Sequence, residues 1–229
     1  MKVSIIIPCY NEEATIKDII NKINSQSSID KEIIVIDDNS QDKTREILQQ
    51  DLGSSIHKII LNDKNYGKGY SIRKGIKKAS GECILIQDAD LEYDPSDYKK
   101  LLDPIFKNIA DVVYGSRFLG TSERRVLYFW HTVGNRLLTL FSNMCSNLNL
   151  TDMEVGYKVF RSNILKEIKL QEDRFGFEPE VTAKIAKKDI KIFEVGISYF
   201  GRKYSEGKKI TWKDGFSAIR CIVKYNFFE

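Results

Sequence analysis

The sequence predicts an α/β fold: one domain over 1–229, with a mostly parallel sheet covered by helices on both faces. Three observations predict it. Short, nearly continuous apolar runs recur at 3–7, 33–36, 57–61 and 83–86. Segments of helical apolar period separate them, and strands of this composition belong to parallel sheets buried on both sides. At 229 residues and 26.4 kDa the chain supports one large core and not two comfortable ones.

Val3, Ser4, Ile5, Ile6 and Ile7, closed by Pro8, are the first strand; Ile33, Ile34, Val35 and Ile36, closed by Asp37 and Asp38, are the second. Between them Ala14, Ile16, Ile19, Ile20 and Ile23 recur at helical spacing, with Asn11 as the expected cap. The unit repeats as helix 44–52, strand 57–61, helix 68–79 and strand 83–86. A helix over 95–108 and a strand over 111–114 follow, then a long helix over 124–148, a helix opened by residues 174–180 and running to Lys187, and a late strand at 190–195. On the long helix Val126, Trp130, Val133, Leu137, Leu140, Phe141, Met144 and Leu148 share one face, opposite Thr132, Asn135, Thr139, Ser142 and Ser146. A polar face without charge is unusual for a solvated helix and points to packing or to a lipid interface. Over 211–228, Trp212, Phe216, Ile219 and Val223 form an apolar stripe beside a basic one of Lys213, Arg220 and Lys224, which suits an amphipathic helix in a headgroup region.

Ligands bind beyond the carboxyl ends of parallel strands, where this sequence puts Pro8, Cys9 and Tyr10, then Asp37 and Asp38, then the stretch 87–95. In that stretch Asp88, Asp90 and Glu92 alternate, so an extended chain points all three carboxylates the same way. Acids so placed repel unless a cation sits among them, and a hard Mg²⁺ or Mn²⁺ ion shared with substrate phosphates is the natural one. The plainer reading is an acidic turn that starts the next helix at Asp94 and Pro95. Lys68, flanked by Gly67 and Gly69 at a helix start, suits a pyrophosphate, though a plain turn explains it equally well.

The net charge is +4, and from Gly196 onward seven Lys/Arg face three acids, so the whole excess is C-terminal. Such a segment meets nucleic acid, an anionic membrane surface or a phosphorylated substrate. No nucleic-acid motif is present, which ranks that partner below lipid or phosphate. No signal peptide or membrane-spanning run appears, so a cytoplasmic protein is expected. Cys9, Cys83, Cys145 and Cys221 lack metal-ligand spacing and read as buried thiols.

Residues 5–13, 34–40, 88–92 and 115–118, in that order, resemble family 2 of the glycosyltransferases, of the Rossmann-like GT-A fold. Within it they are most similar to the dolichyl- or polyprenyl-phosphate mannose or glucose synthases, with weaker similarity through 156–160 and 199–209. The resemblance implies that Pro8, Tyr10, Glu12 and Asp38 line the nucleotide pocket, with Asp88 close by. It implies that Asp88, Asp90 and Glu92 hold the metal and that Arg117 and Arg202 contact phosphate, making Asp90, Arg117 and Arg202 the catalytic set. A family arginine falls on His131 here, with Arg136 a turn away. Residues 1–117 would form the nucleotide-sugar and metal-binding part and 118–229 the acceptor part. Relatives often carry membrane helices after this domain, so the resemblance implies a peripheral form on the cytoplasmic face of a membrane, with an anchoring subunit as a further partner.

The implied reaction moves a hexose from a GDP-mannose or UDP-glucose type donor to a polyprenyl or dolichyl phosphate, with inversion. A phosphate acceptor is already an anion and needs positioning cations but no base. Transfer to a sugar hydroxyl is the alternative; it needs a base, for which Glu178 and Glu180 are the candidates. A receiver-like signalling domain is remote, because its paired acids follow the first strand, and here a strand and a helix precede Asp37 and Asp38.

Overall fold

The computed structural model describes residues 1–120, 125–126, 128–203 and 212–229, without the side chains of Trp212 and Lys213. Strands β1 (Val3–Cys9), β2 (Lys31–Asp37), β3 (Lys58–Leu61), β4 (Cys83–Ile86), β5 (Val112–Ser116), β6 (Lys158–Arg161) and β7 (Ile192–Gly196) form one sheet in the order β3-β2-β1-β4-β6-β5-β7. Every pairing is parallel except those of β6, which runs antiparallel between β4 and β5. The expected mostly parallel sheet is therefore present. The apolar runs of β1, β2 and β4 are its buried centre, with Ile5, Ile6, Ile7, Ile34, Val35, Leu85 and Ile86 wholly inside.

Helices α1 (Ile16–Asn24), α2 (Thr44–Glu46, continued as a π-helical turn over Ile47–Asp51), α3 (Lys68–Lys78) and α4 (Tyr98–Phe106) alternate with the first strands; α5 (Phe129–Ser146), α6 (Ser162–Glu167), α7 (Phe177–Ala186) and α8 (Trp212–Phe227) follow. Helix α1 buries Ile16, Ile19, Ile20 and Ile23, the spacing of one helical face. It starts later than expected, because Asn11 adopts the left-handed conformation (φ 49°) and is not its cap. Asn11 instead joins two loops: its N–H donates to Ser40 Oγ at 2.9 Å, and its Oδ1 accepts from Gln41 N at 2.7 Å. Asp94 does start the next turn as a cap, accepting from Ser96 N at 2.9 Å ahead of Pro95.

Helix α5 reverses the usual polarity. Thr139 and Ser142 are 3% and 1% exposed, whereas Trp130 and Met144 are 77% and 74% exposed. The polar face packs inward to serve the 150–153 loop: Asn143 exchanges two hydrogen bonds with Leu150, and Met153 N donates to Thr139 Oγ1 at 3.2 Å. Small polar side chains permit that close approach and satisfy backbone groups that an apolar face would leave unpaired. The helix begins at Phe129, five residues later than the sequence period indicates, and positions 124 and 127 lie outside the described residues.

We expect Thr139→Leu to destabilise the protein by about 1–3 kcal/mol through overpacking. Leu140→Gln, one residue on and 56% exposed, should cost under about 0.5 kcal/mol. Urea denaturation distinguishes this from an ordinary amphipathic helix, for which the order of the two costs would be reversed.

Candidate functional site

The sheet gathers the site at one rim. Parallel β1, β2, β4, β5 and β7 all end there, delivering the segments that carry Glu12, Asp38, Asp88 to Glu92, Arg117 and Arg202. Antiparallel β6 starts there, with Lys158 opposite Ile86 and Tyr114, which adds Asp152 and Glu154 just before it. Backbone-to-side-chain bonds join the first two loops further: Glu12 N donates to Thr44 Oγ1, Glu13 N to Asp42 and Lys43 N to Glu13.

At the centre the guanidinium of Arg202 lies among three acids. Nη2 donates to Asp90 Oδ2 at 2.7 Å, and Nη1 and Nη2 reach the Glu12 carboxylate at 3.2 and 3.4 Å. Its Nε, 3.6 Å from Glu92 Oε1, is buried without a hydrogen-bond partner. Both Glu92 oxygens face the same segment, Oε1 accepting from Arg202 N at 2.8 Å and Oε2 from Tyr199 Oη at 3.1 Å. Burial, followed by the Asp88 and Glu92 carboxylates, pushes Asp90 up to about 7 against the pull of Arg202. Among the described residues no three carboxylate, imidazole or thiolate groups converge as a ready metal cage. The oxygens of Glu12, Asp88, Asp90 and Glu92 are nevertheless the hard donors that Mg²⁺ or Mn²⁺ prefers.

Lys68 sits behind Asp88, its Nζ 2.7 Å from Asp88 Oδ1 and 3.0 Å from Glu178 Oε1. Burial opposes its charge, but the two carboxylates outweigh burial and hold the ammonium well above the lysine range. The glycines beside it serve close packing: a Cβ on Gly67 or Gly69 would fall 2.4 and 2.3 Å from the carbonyls of Asp173 and Glu172. The same holds for Gly156, where a Cβ would meet Asp88 Oδ2 at 2.3 Å.

Arg117 is held by Asp152 through Nε and Nη2, each at 2.7 Å. Its guanidinium lies 5.3 Å from the Tyr199 ring and 5.7 Å from that of Phe118, and Arg136 covers Phe118 from beyond at 5.4 Å. A ladder of cations and rings thus links the acid cluster to α5. His131 lies one turn before Arg136, against Tyr128.

Asp38 ties the β2, β3 and α3 loops together, its oxygens accepting from Asn62 Nδ2 at 2.7 Å, Tyr66 N at 3.1 Å and Gly67 N at 2.6 Å. Pro8, near the end of β1, and Tyr10, just after it, are half-buried. Glu180 is fully buried, its carboxylate accepting from Gln171 N at 2.7 Å and Glu172 N at 2.8 Å.

The sequence reading did not single out Asp152, Glu154, Lys158 or Tyr199. Asp152 fixes Arg117, and its place just ahead of β6 becomes informative only once that strand is known. Lys158 is wholly buried, donates to the carbonyls of Met153 and Val155, and is pushed down to about 8 by burial. Burial and then Glu178 push Glu154 up to about 7, and its Oε1 is buried without a hydrogen-bond partner.

The sequence profile of glycosyl transferase family 2 matches residues 4–169. A dolichol-phosphate mannosyltransferase of Pyrococcus furiosus is 29% identical over all of this chain, which spans 65% of that protein's length. A UDP-N-acetylglucosamine–dolichyl-phosphate N-acetylglucosaminyltransferase of Methanococcus voltae is 28% identical over 96% of this chain and 94% of its own. Among solved structures, glucosyl-3-phosphoglycerate synthase of Mycobacterium tuberculosis, in complex with Mn²⁺, UDP and phosphoglyceric acid, superposes with a TM-score of 0.77 over 100% of this chain and 79% of that one. At 16% identity that likeness is one of fold.

Glu154 generates a pH prediction. Its folded pKa is raised, so the native state binds a proton that the unfolded state has released, and stability falls as pH rises toward and past about 7. Glu154→Gln removes this contribution. The melting temperature should drop less between pH 5.5 and 8, on the order of those two values, in the variant than in the parent. Parallel curves would show that Glu154 is charged throughout.

Proposed function

The chain belongs to glycosyl transferase family 2, and from that membership we propose a metal-dependent, inverting transfer of a hexose from a nucleotide-diphosphate sugar to a polyprenyl phosphate. The observation that carries the acceptor is the state of the two candidate bases. Glu180 is committed to the amides of Gln171 and Glu172, and Glu178 to Lys68. Neither is thus free to take the proton of a hydroxyl acceptor; a phosphate needs no base. Arg117 and Arg202 supply the positioning charge instead. The relative of nearly equal length from Methanococcus voltae is named for a dolichyl-phosphate acceptor, which supports the same reading.

In this mechanism the bond between the anomeric carbon and the departing diphosphate oxygen breaks as an acceptor phosphate oxygen bonds the opposite face of that carbon. Asp88 and Asp90, with Glu92 and Glu12 around them, would hold a divalent cation, which when bound supplies Lewis-acid charge to the leaving group. Lys68 orients Asp88 through their ion pair. Asp152 holds the Arg117 guanidinium edge-on, so that it meets a phosphate without reorganising.

A lipid acceptor brings a membrane surface with it. Leu137, Leu140, Met144 and Trp130 on α5 and Phe216 and Ile219 on α8 are exposed, and α5 carries no acid. Among the described residues no helix is long and apolar enough to cross a bilayer. The basic stripe expected on α8 is otherwise engaged: Arg220 pairs with Glu172 at 2.5 Å and Lys224 with Glu229 at 3.5 Å, and the Lys213 side chain lies outside the described residues. The apolar face is therefore the part of this surface proposed to meet lipid.

Purified protein given UDP- and GDP-sugars, polyprenyl phosphate and Mg²⁺ or Mn²⁺ should yield a glycosylated lipid phosphate by mass spectrometry. Product formed only with glycan acceptors would sink the lipid assignment. Asp90→Asn should lower turnover on the order of a hundredfold or more with little change in melting temperature; full turnover in EDTA or by this variant overturns the metal assignment. Liposomes containing polyprenyl phosphate should pull down the parent protein, and Leu137→Asp with Met144→Asp should abolish this while Arg220→Gln does not. Parent protein left in the supernatant would show that these apolar faces do not bind lipid.

A further inference from the structure

Arg202 holds the position that a shared cation would hold. It is bonded to Asp90 and Glu12 and lies beside Glu92, and these acids approach one another around a guanidinium and not around a point. The seat does not fit it fully, since Nε is buried and has no hydrogen-bond partner. The segment that carries it is fastened across the acidic turn by further bonds. Ser198 N donates to Asp97 Oδ2 at 2.7 Å, Phe200 N to Glu92 O at 2.9 Å, and Tyr199 Oη and Arg202 N to the two Glu92 oxygens.

We infer that Arg202 is a built-in counter-ion of the resting protein, that Glu92 and Tyr199 are the socket holding segment 198–202 across the acids, and that a divalent cation and the seated guanidinium exclude each other. The inference rests on the proposed metal site and goes beyond it. Two cations cannot share the Asp90 carboxylate at ligand distance without strong repulsion. Entry of the divalent ion therefore breaks the bonds of Arg202 to Asp90 and Glu12 and frees the guanidinium for a phosphate. Arg202 becomes available for transfer only after the metal is in place. Glu92 and Tyr199 are positioning residues in this scheme, acting through Arg202.

The consequence is contrary to ordinary expectation for a site residue. Removing Arg202 should tighten metal binding, because the ion no longer displaces charge-assisted hydrogen bonds. Mn²⁺ titrated into the full chain and followed by electron paramagnetic resonance should show a Kd about tenfold or more lower for Arg202→Gln than for the parent. In the parent alone, Mn²⁺ should speed amide exchange at Phe200 and Arg202, whose N–H groups are bonded to Glu92. Circular dichroism checks that the variant is folded. Should it not fold, Arg202→Lys, whose single ammonium cannot span Glu12 and Asp90 together, replaces it with the same expectation. Equal or weaker Mn²⁺ binding by the folded variant overturns the inference and leaves the metal site standing. Absence of Mn²⁺ binding by parent and variant alike overturns both.

Discussion

The arrangement of this protein depends on one constraint, the crowding of like charge at the carboxyl rim of the sheet. Among the described residues Glu12, Asp88, Asp90, Glu92, Asp152, Glu154 and Glu178 meet there and outnumber Lys68, Arg117, Lys158 and Arg202. Topology makes the crowding unavoidable, since the parallel strands that feed the crevice end on the same side and antiparallel β6 starts there. Buried carboxylates are costly unless matched, so three of the four cations are shared: Lys68 spans two acids and Arg202 three, and Lys158 feels both Glu154 and Glu178. Only Arg117 has a single carboxylate to itself. The crowding is expressed in Asp90 and Glu154, both pushed up to about 7.

The same constraint accounts for the small residues around the rim. Gly156 lets the backbone before β6 pass against Asp88, and the close contact of Gly67 and Gly69 with the 172–174 loop brings Lys68 under that carboxylate. Loop amides are drawn in for the same reason, because N–H dipoles stabilise carboxylates where free cations do not fit. Asp38 and Glu180 are satisfied largely in this way. Glu180, which also pairs with Lys184, and Glu178, which pairs with Lys68, are in this way held as structural acids in the resting protein and not as free bases.

Much of the fold was legible because β1, β2 and β4 are buried on both faces, so their apolar runs carry no ambiguity. Strand β6 was not legible: it is four residues long, and a buried lysine sits at its start. Asn11 misled because its side chain suits a helix cap, yet tertiary contact with Ser40 and Gln41 outweighs that local preference. At the site, the motif acids could be named from spacing alone. Their partners could not, because Asp152, Glu154 and Tyr199 reach the rim only through the order of the last three strands. Spacing likewise gives no sign that both Glu92 oxygens turn toward residues 199 and 202, more than a hundred positions away.

Helix α5 shows how far rim chemistry reaches. Leu150 and Met153 belong to the loop that presents Asp152 to Arg117, and their backbone groups lie where water does not reach them, so the helix above must provide donors and acceptors. Thr139 and Asn143 provide them, which turns the polar side of α5 inward. Leu137, Leu140 and Met144 are then left outside, with Leu137 beside Ile219 of α8. Exposed apolar surface of this kind carries a solubility cost that selection removes unless the surface has a use. Holding Arg117 rigidly and exposing an apolar face are thus two results of one packing arrangement, and the proposed acceptor, with a phosphate head and a lipid tail, would use both.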